Sequence, residues 1–312
     1  MEQMVVTGAG PVGWTVAELL AGAGHRVRIL TRNGTGPESQ LIQRQPVDVS
    51  DPAAVTKALE GASAVFHCIH AAYNADAWRR ELPRSEQNIL DAAGREGAVV
   101  VFPESLYSYS TPEQVMTEAG PRDATGGKRG VRTDLLKARE ASATPTVSVV
   151  AADFFGPRVL QSHMGERVVP RVIAGRRISV IGSADTPHSF TYVPDLAAAL
   201  IAAARDERVW DTVLHAPTLR AITQRQLIAA FAKAAGVPTP NVVAVPGWFV
   251  RVLGRVQPLM RELTELLYQT EHPFIMDSTA SEQRLGLTPT PLPIAAEATV
   301  NWWRDRSVAG RR

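Results

Sequence analysis

Three observations predict an α/β chain built on a doubly wound parallel sheet of Rossmann type. An apolar run, Met4-Val5-Val6, leads into a glycine turn spaced Gly8-x-Gly10-x-x-Gly13, and Trp14 to Leu20 then reads as a helix. Strand-like and helix-like segments alternate from there to Ala151, which implies parallel strands joined by right-handed crossovers. One of the strand-like runs, Ala62–Ile69, is nearly all apolar, as expected of a strand covered on both faces.

The first element carries the clearest chemistry. Gly8 allows the tight turn out of the strand, Gly10 lets a backbone approach a pyrophosphate, and Gly13 lets the helix pack against the strand. With Pro11 and Val12 they form a candidate cradle at a helix N-terminus, where free N–H groups and the helix dipole favour an anion. The bland alternative is a glycine-rich turn that binds nothing. Ala21-Gly22-Ala23-Gly24 ends the helix, and Val27–Leu30 is the second strand. Its end, Thr31-Arg32-Asn33-Gly34, falls where a dinucleotide fold meets the adenosine ribose. An acid there would hold the 2′-hydroxyl of NAD, whereas Arg32 suits the 2′-phosphate of NADP; the alternative is a solvated surface arginine.

Gln45–Val49 reads as a third strand, followed by a helix capped by Ser50 or Asp51 with Pro52 in its first turn. A helix from about Leu82 to Glu96 stops near Gly97, and Val99–Phe102 and Val147–Ala151 are the fifth and sixth strands. Leu196–Ala204 reads as a buried helix, too short to span a bilayer. Thr223 and Gly236 bracket a further helix, Pro246–Gln269 reads as one amphipathic helix, and a helix bearing Trp302-Trp303 closes the chain.

The totals exclude several classes. With 33 basic and 31 acidic residues among 312, nothing suggests a dedicated nucleic-acid surface. The one cysteine, Cys68, rules out an intrachain disulfide and thiolate zinc sites and reads as a small buried hydrophobe. No His/Cys/Asp/Glu cluster has metal-ligand spacing, and no Gly-x-Ser-x-Gly elbow is present. The start of the chain has no leader-like composition, so a cytoplasmic, membrane-free protein is expected. A small-molecule substrate is the expected partner, with a homodimer left open.

Six segments carry a family resemblance: Thr7–Gly13, Asp48-Val49, Val65–Ile69, Ser105–Tyr109, Asp153-Phe154-Phe155-Gly156-Pro157, and Phe190–Asp195. In order and spacing they resemble the short-chain dehydrogenase/reductase superfamily, in its extended and atypical branch, often called NAD-dependent epimerase/dehydratase-like. The resemblance implies that Asp48 and Val49 contact adenine. It places Cys68, Ile69 and His70 where the chain passes the cofactor, with His70 a better functional candidate than His67. It sets Ser105 and Tyr107 facing the reacting carbon, with Tyr109 close behind as a further proton-donor candidate, and has Phe154, Phe155 and Pro157 close over the nicotinamide. It also implies a smaller C-terminal substrate lobe, made from 154–186 and 221–312. The nucleotide-binding domain would then be 1–153, with 187–220 returning to it.

One part of the family pattern is missing. The superfamily uses Tyr-x-x-x-Lys on one helix face, the Tyr moving a proton and the Lys lowering its pKa. Counting back from Gly156-Pro157 puts Lys128 and Arg132 at those positions; a slipped register gives Thr133 and Lys137. Two readings follow. Lys128 or Arg132 keeps the ribose contact while Tyr107, Tyr109, His70 or Lys128 itself moves the proton, helped if Lys128 lies in a cationic neighbourhood. Otherwise the segment is a basic, solvated helix start. The expected function is an NADP-dependent oxidoreductase acting on a small carbonyl, imine or enone substrate. The alternatives are a redox-neutral epimerase, dehydratase or isomerase, and an NADP-sensing regulator similar to the NmrA-like proteins. An open cleft lined by Tyr107, Lys128 and Phe155 would favour the enzyme, and a filled cleft with an exposed apolar patch the regulator.

Overall fold

The structure, a computed structural model, describes residues 2–309. In chain order the first part comprises β1 (Gln3–Thr7), α1 (Pro11–Gly22), β2 (Arg26–Thr31), β3 (Ile42–Pro46), α2 (Pro52–Leu59), β4 (Ala62–His67), α3 (Ala75–Glu96), β5 (Val99–Ser105), α4 (Gly127–Glu140) and β6 (Thr146–Ala151). Then come β7 (Asp153–Phe155), α5 (Val169–Ile173), β8 (Ile178–Ile181), β9 (Phe190–Tyr192), α6 (Val193–Arg205) and β10 (Thr212–His215). The rest is α7 (Gln224–Ala235), β11 (Val242–Val245), α8 (Gly247–Leu253), α9 (Pro258–Thr264), α10 (Tyr268–Glu271), α11 (Thr279–Leu285) and α12 (Leu292–Ala309).

The central sheet has seven parallel strands in the order β10-β6-β5-β4-β1-β2-β3. Strand order reverses between β1 and β4, and ligands in such sheets bind beyond the strand C-termini at that reversal. Successive residues of β1 serve opposite faces, as the period of a strand requires. Val6 joins Val16, Leu20 and Leu200 under α1 and α6, while Val5 joins Leu59, Val65 and Ile89 under α2 and α3. A separate apolar cluster, with Phe155, Val172, Ile178, Phe231, Ala296 and Trp303, lies under α5, α7 and α12. Two small parallel sheets, β7–β9 and β8–β11, complete the fold.

Local chemistry explains most boundaries. Asp51 caps α2 by accepting from Ala53 and Ala54 N–H groups, at 2.9 and 3.2 Å. Thr223 and Gln226 form a reciprocal capping box on α7, and Gly236 ends it in the left-handed conformation that glycine favours. Three expectations need correction. The third strand lies at Ile42–Pro46 rather than Gln45–Val49, because Asp48 accepts from Ser50 N–H and turns the chain away. Helix α3 begins at Ala75, well before Leu82. Asn74 caps it through Asp76 and Ala77 N–H, and the helix runs on through Pro83. Finally, 246–269 is not one helix: Gly254 and Pro258 break it into α8 and α9, and α10 follows.

Candidate functional site

The nucleotide end of the cleft is set by backbone geometry. Gly8 has φ +87°, and a Cβ there would lie 2.9 Å from the Cys68 carbonyl oxygen. A Cβ on Gly13 would stand 2.1 Å from the Gly8 carbonyl oxygen, so helix and turn touch backbone to backbone. A Cβ on Gly10, by contrast, would meet nothing within 4 Å. The helix behind this space is twelve residues long, begins at Pro11, has no side-chain cap and carries no acid in its first turn. Open space over Gly10 and an uncapped helix start fit a dinucleotide pyrophosphate. Arg32 follows β2 directly, is exposed and has no ion-pair partner among the described residues; its charge reaches Asp48. The loop after Arg32 borders a groove of about 600 Å³ lined by Trp14, Gly34, Thr35, Gly36, Glu38 and Arg44.

The neighbouring candidates divide. Asp48 is exposed, and hydrogen bonds from Ser50 hold its carboxyl below the usual value. Val49 lies 8 % exposed in the core and its carbonyl accepts from Asn88 Nδ2, so it has little left for adenine. Cys68 and Ile69 lie half-buried beyond β4, and desolvation pushes the Cys68 thiol up to about 12. The His70 ring stands edge-on to Trp78, 4.5 Å between centroids, with Nδ1 2.7 Å from the Ala71 carbonyl oxygen. His67 is a core residue, Nδ1 lying 2.8 Å from Thr7 Oγ1.

The substrate end is built from side chains. Ser105 donates its N–H and its hydroxyl to Glu104 Oε1, at 2.7 and 3.2 Å. Leu106–Ser108 then forms a turn of 3-10 helix, which rotates Tyr107 and Tyr109 apart. Tyr107 stacks on Trp78, its hydroxyl 3.5 Å from that of Tyr73. Tyr109 is fully buried, its hydroxyl 2.6 Å from His215 Nε2, while His215 Nδ1 lies 2.6 Å from the Asp277 carbonyl oxygen. It therefore leaves the set of cleft residues. Phe155 leaves it too: it is 1 % exposed against Tyr192 and Phe231 in the second core, and only Phe154 packs toward the sheet.

Lys128 and Arg132 both lie on α4, and neither is solvated. Lys128 is 0 % exposed, with Nζ 2.6 Å from Glu262 Oε2 and 3.1 Å from Glu265 Oε2, above the Tyr73 ring. Its neighbourhood is anionic rather than cationic, with two carboxylates on the ammonium. Glu265 also accepts from the Lys128 and Arg129 backbone N–H groups at 2.8 and 3.3 Å, and its carboxylate takes the space over Gly127, where a Cβ would lie 2.2 Å from Oε1. Arg132 sits over the Trp78 ring and faces Glu104, Nη1 to Oε1 3.3 Å. Glu104 in turn holds Arg139 at 2.9 Å, and Arg139 holds Glu86 at 2.7 Å, all four side chains buried. Burial alone would raise the Glu104 carboxyl; Arg132 and Arg139 outweigh it and hold it below its usual value. The bland reading of 128–132 as a solvated helix start is therefore wrong.

Several site residues escaped the sequence. Asp153 pairs with His188, Oδ2 to Nε2 2.8 Å, and His188 Nδ1 meets the Gln269 carbonyl oxygen at 2.9 Å. Burial would raise the Asp153 carboxyl, but His163 and His188 keep it low, and its charge is felt at Tyr73, Tyr107 and Tyr268. Tyr73, Trp78, Glu104, Glu262 and Glu265 complete the surroundings. The one available signal was Glu262 and Glu265 at helical spacing, which put two acids on one face. The space in front of Lys128 is filled, and the cavity lined by His163, Leu263, Leu266 and Thr270 holds only about 10 Å³. Among the described residues no group of three or more His, Cys, Asp or Glu could hold a metal, and no helix is long and apolar enough to cross a membrane.

Comparison with known proteins follows the geometry. The model of the NAD dependent epimerase/dehydratase family matches residues 4–212. No curated protein matches the sequence. Among solved structures, the Bordetella bronchiseptica enzyme WbmH in complex with NAD+ is 19 % identical at TM-score 0.77, covering 98 % of this chain and 99 % of its own. UDP-glucose 4-epimerase of Thermotoga maritima, with UDP-glucose, is 17 % identical at TM-score 0.76, with coverage of 98 % and 99 %. The epimerase Mth375 of Methanothermobacter thermautotrophicus is 16 % identical at TM-score 0.79, with coverage of 99 % and 94 %. At these identities the likeness is one of fold.

Proposed function

The chain belongs to the NAD-dependent epimerase/dehydratase family, and from that premise we propose that it binds NADP and acts as an oxidoreductase on a small carbonyl, imine or enone substrate. Gly8, Gly10, Pro11, Val12 and Gly13 would hold the pyrophosphate and Arg32 the 2′-phosphate. When bound, the dinucleotide supplies or accepts a hydride. The observation that carries the reading is the phenol pair. α4 offers no tyrosine, but Tyr107 and Tyr73 bring their hydroxyls to 3.5 Å beside Lys128.

Burial holds the Tyr107 hydroxyl well above the ordinary phenol value, so it stays protonated at neutral pH. A neutral phenol is a donor, and a developing alkoxide is basic enough to take its proton. Tyr73, 36 % exposed, can refill Tyr107 from solvent. The negative Asp153 carboxylate opposes phenolate formation in both and biases them toward donation. Substrate entry then requires Glu262 and Glu265 to move away from Lys128.

A second reading rests on that same obstruction. A cleft filled by Glu262 and Glu265, with Phe155 withdrawn into the lobe core, favours an NADP-sensing regulator. NADPH consumption across a panel of small carbonyl compounds separates the two. For the oxidoreductase, Tyr107→Phe should lower turnover by about 100-fold while leaving NADPH binding intact. NADPH binding with no turnover of any compound supports the regulator. Turnover that survives Tyr107→Phe unchanged removes Tyr107 as donor.

A further inference from the structure

The face of the protein formed by α8 and the turn after it is apolar and aromatic on the outside. Trp248 is 63 %, Phe249 44 %, Val252 50 % and Val256 81 % exposed. Trp248 and Val252 lie one turn apart on α8, Phe249 is edge-on to Trp248, and Val256 follows in the turn after the helix, so the four exposures cluster within nine residues. Charge in this stretch is one-sided. From Pro246 to Arg261 there are three arginines, Arg251, Arg255 and Arg261, and no acid. The nearest acids in sequence face inward: Glu262 and Glu265 are bound to Lys128, and Glu271 is taken up by Arg251. Arg255 and Arg261 are exposed and have no ion-pair partner among the described residues.

We propose that this face docks on an anionic lipid surface. A protruding aromatic and valine patch followed by Arg255 and Arg261, neither held by a carboxylate among the described residues although Arg261 donates Nε to the Gly254 carbonyl, matches a bilayer interface. The apolar groups enter the headgroup boundary, the amphipathic indole settles at its polar edge, and the arginines meet lipid phosphates. Docking of this kind needs no spanning segment. It therefore departs from the sequence-based expectation of no membrane contact, which rested on the lack of one. The proposal does not depend on the reading of the cleft.

The test is co-sedimentation of the full chain with vesicles of phosphatidylcholine, with and without phosphatidylglycerol. Binding should rise about tenfold or more with the anionic lipid and fall steeply with salt. Brominated acyl chains should quench tryptophan emission, and Trp248→Leu should remove most of that quenching. Trp248→Ser with Phe249→Ser should release the protein from vesicles, and Arg255→Glu should weaken binding with the apolar patch intact. These substitutions lie on the exposed surface, and an unchanged circular dichroism spectrum and thermal transition report that each variant is folded. No association with anionic vesicles at low salt overturns the proposal, as does association that survives the Trp248/Phe249 pair. A dimer in lipid-free solution that the same pair dissociates would also overturn it, and would make the face an interface between two copies of the chain.

Discussion

The two ends of the cleft are built by different means. At the nucleotide end, Gly8, Gly10 and Gly13 act through what they lack, and neighbours within a few residues settle their conformation. At the substrate end, Lys128 is fixed by Glu262 and Glu265, more than a hundred residues further along, and Arg132 by Glu104 on β5. A backbone-built site tolerates change around it as long as the glycines stay. A site built from buried charges changes its chemistry when one partner changes. In this chain the glycine turn at Gly8–Gly13 is of the first kind, and the buried charges around Lys128 and Arg132 are of the second.

The buried charges should therefore dominate stability. Arg139→Ala leaves Glu104 and Glu86 without their shared partner, and should lower unfolding free energy by about 3–5 kcal/mol in urea titration. The exposed pair Arg225–Asp185 is the internal control, and Arg225→Ala there should cost about 1 kcal/mol or less. Equal effects at the two positions would remove the distinction between buried and surface charge.

A smaller effect comes from His67, near the C-terminal end of β4. Desolvation pushes its imidazole down to about 4 from an ordinary 6.5, so the folded protein resists a proton that the unfolded chain accepts. Stability is full above pH 6.5 and should fall by about 3 kcal/mol as the pH drops toward 4. His215, buried against Tyr109, shifts the same way. Below that window the depressed Glu104 and Asp153 carboxyls add a further loss as they protonate. His67→Asn should flatten the upper part of the curve, and an unchanged slope would move the titration elsewhere.

This contrast also explains what the sequence could reveal. The glycine spacing, the strand alternation and the caps are local patterns: Thr223 caps α7 as read, Asp51 is the one of two candidates that caps α2, and only the third strand is displaced along the chain. The reversal of Tyr107 and Tyr109 depends on a short 3-10 turn that no periodicity marks. The Asp153–His188 pair and the Glu262/Glu265 clasp join residues distant in sequence, and a single sequence carries no trace of such contacts. Lys128 and Arg132 were found by position, but their partners decide what they do. The cationic neighbourhood that would have let Lys128 move a proton is one such condition, and the structure puts two carboxylates there instead.

At the nucleotide end, the proposed preference for NADP rests on Arg32, which has no ion-pair partner among the described residues. Arg32→Ala should weaken NADPH binding by about 10- to 100-fold, the worth of one or two charge-assisted hydrogen bonds, and leave NADH binding unchanged. Fluorescence titration of both cofactors reads this directly. An equal loss for both would mean that Arg32 shapes the loop beside the groove rather than meeting a phosphate.

The smallest effect tests whether the two ends are independent. Glu265 is 27 % exposed and shares Lys128 with Glu262, so Glu265→Gln keeps one carboxylate on the ammonium and an oxygen to accept from the α4 N-terminus. What it loses is a partly screened charge beside a helix start, which should cost about 1 kcal/mol or less. The rest of the change should be local. With one of its two holds on Lys128 weakened, the segment carrying α8 and α9 should be cleaved faster by protease, and NADPH affinity should stay as it was. Faster cleavage with unchanged affinity means that the substrate end opens without consulting the nucleotide end, as an enzyme waiting for substrate requires. If NADPH binding shifts as well, the clasp reads the cofactor, and the filled cleft becomes the output of a nucleotide sensor.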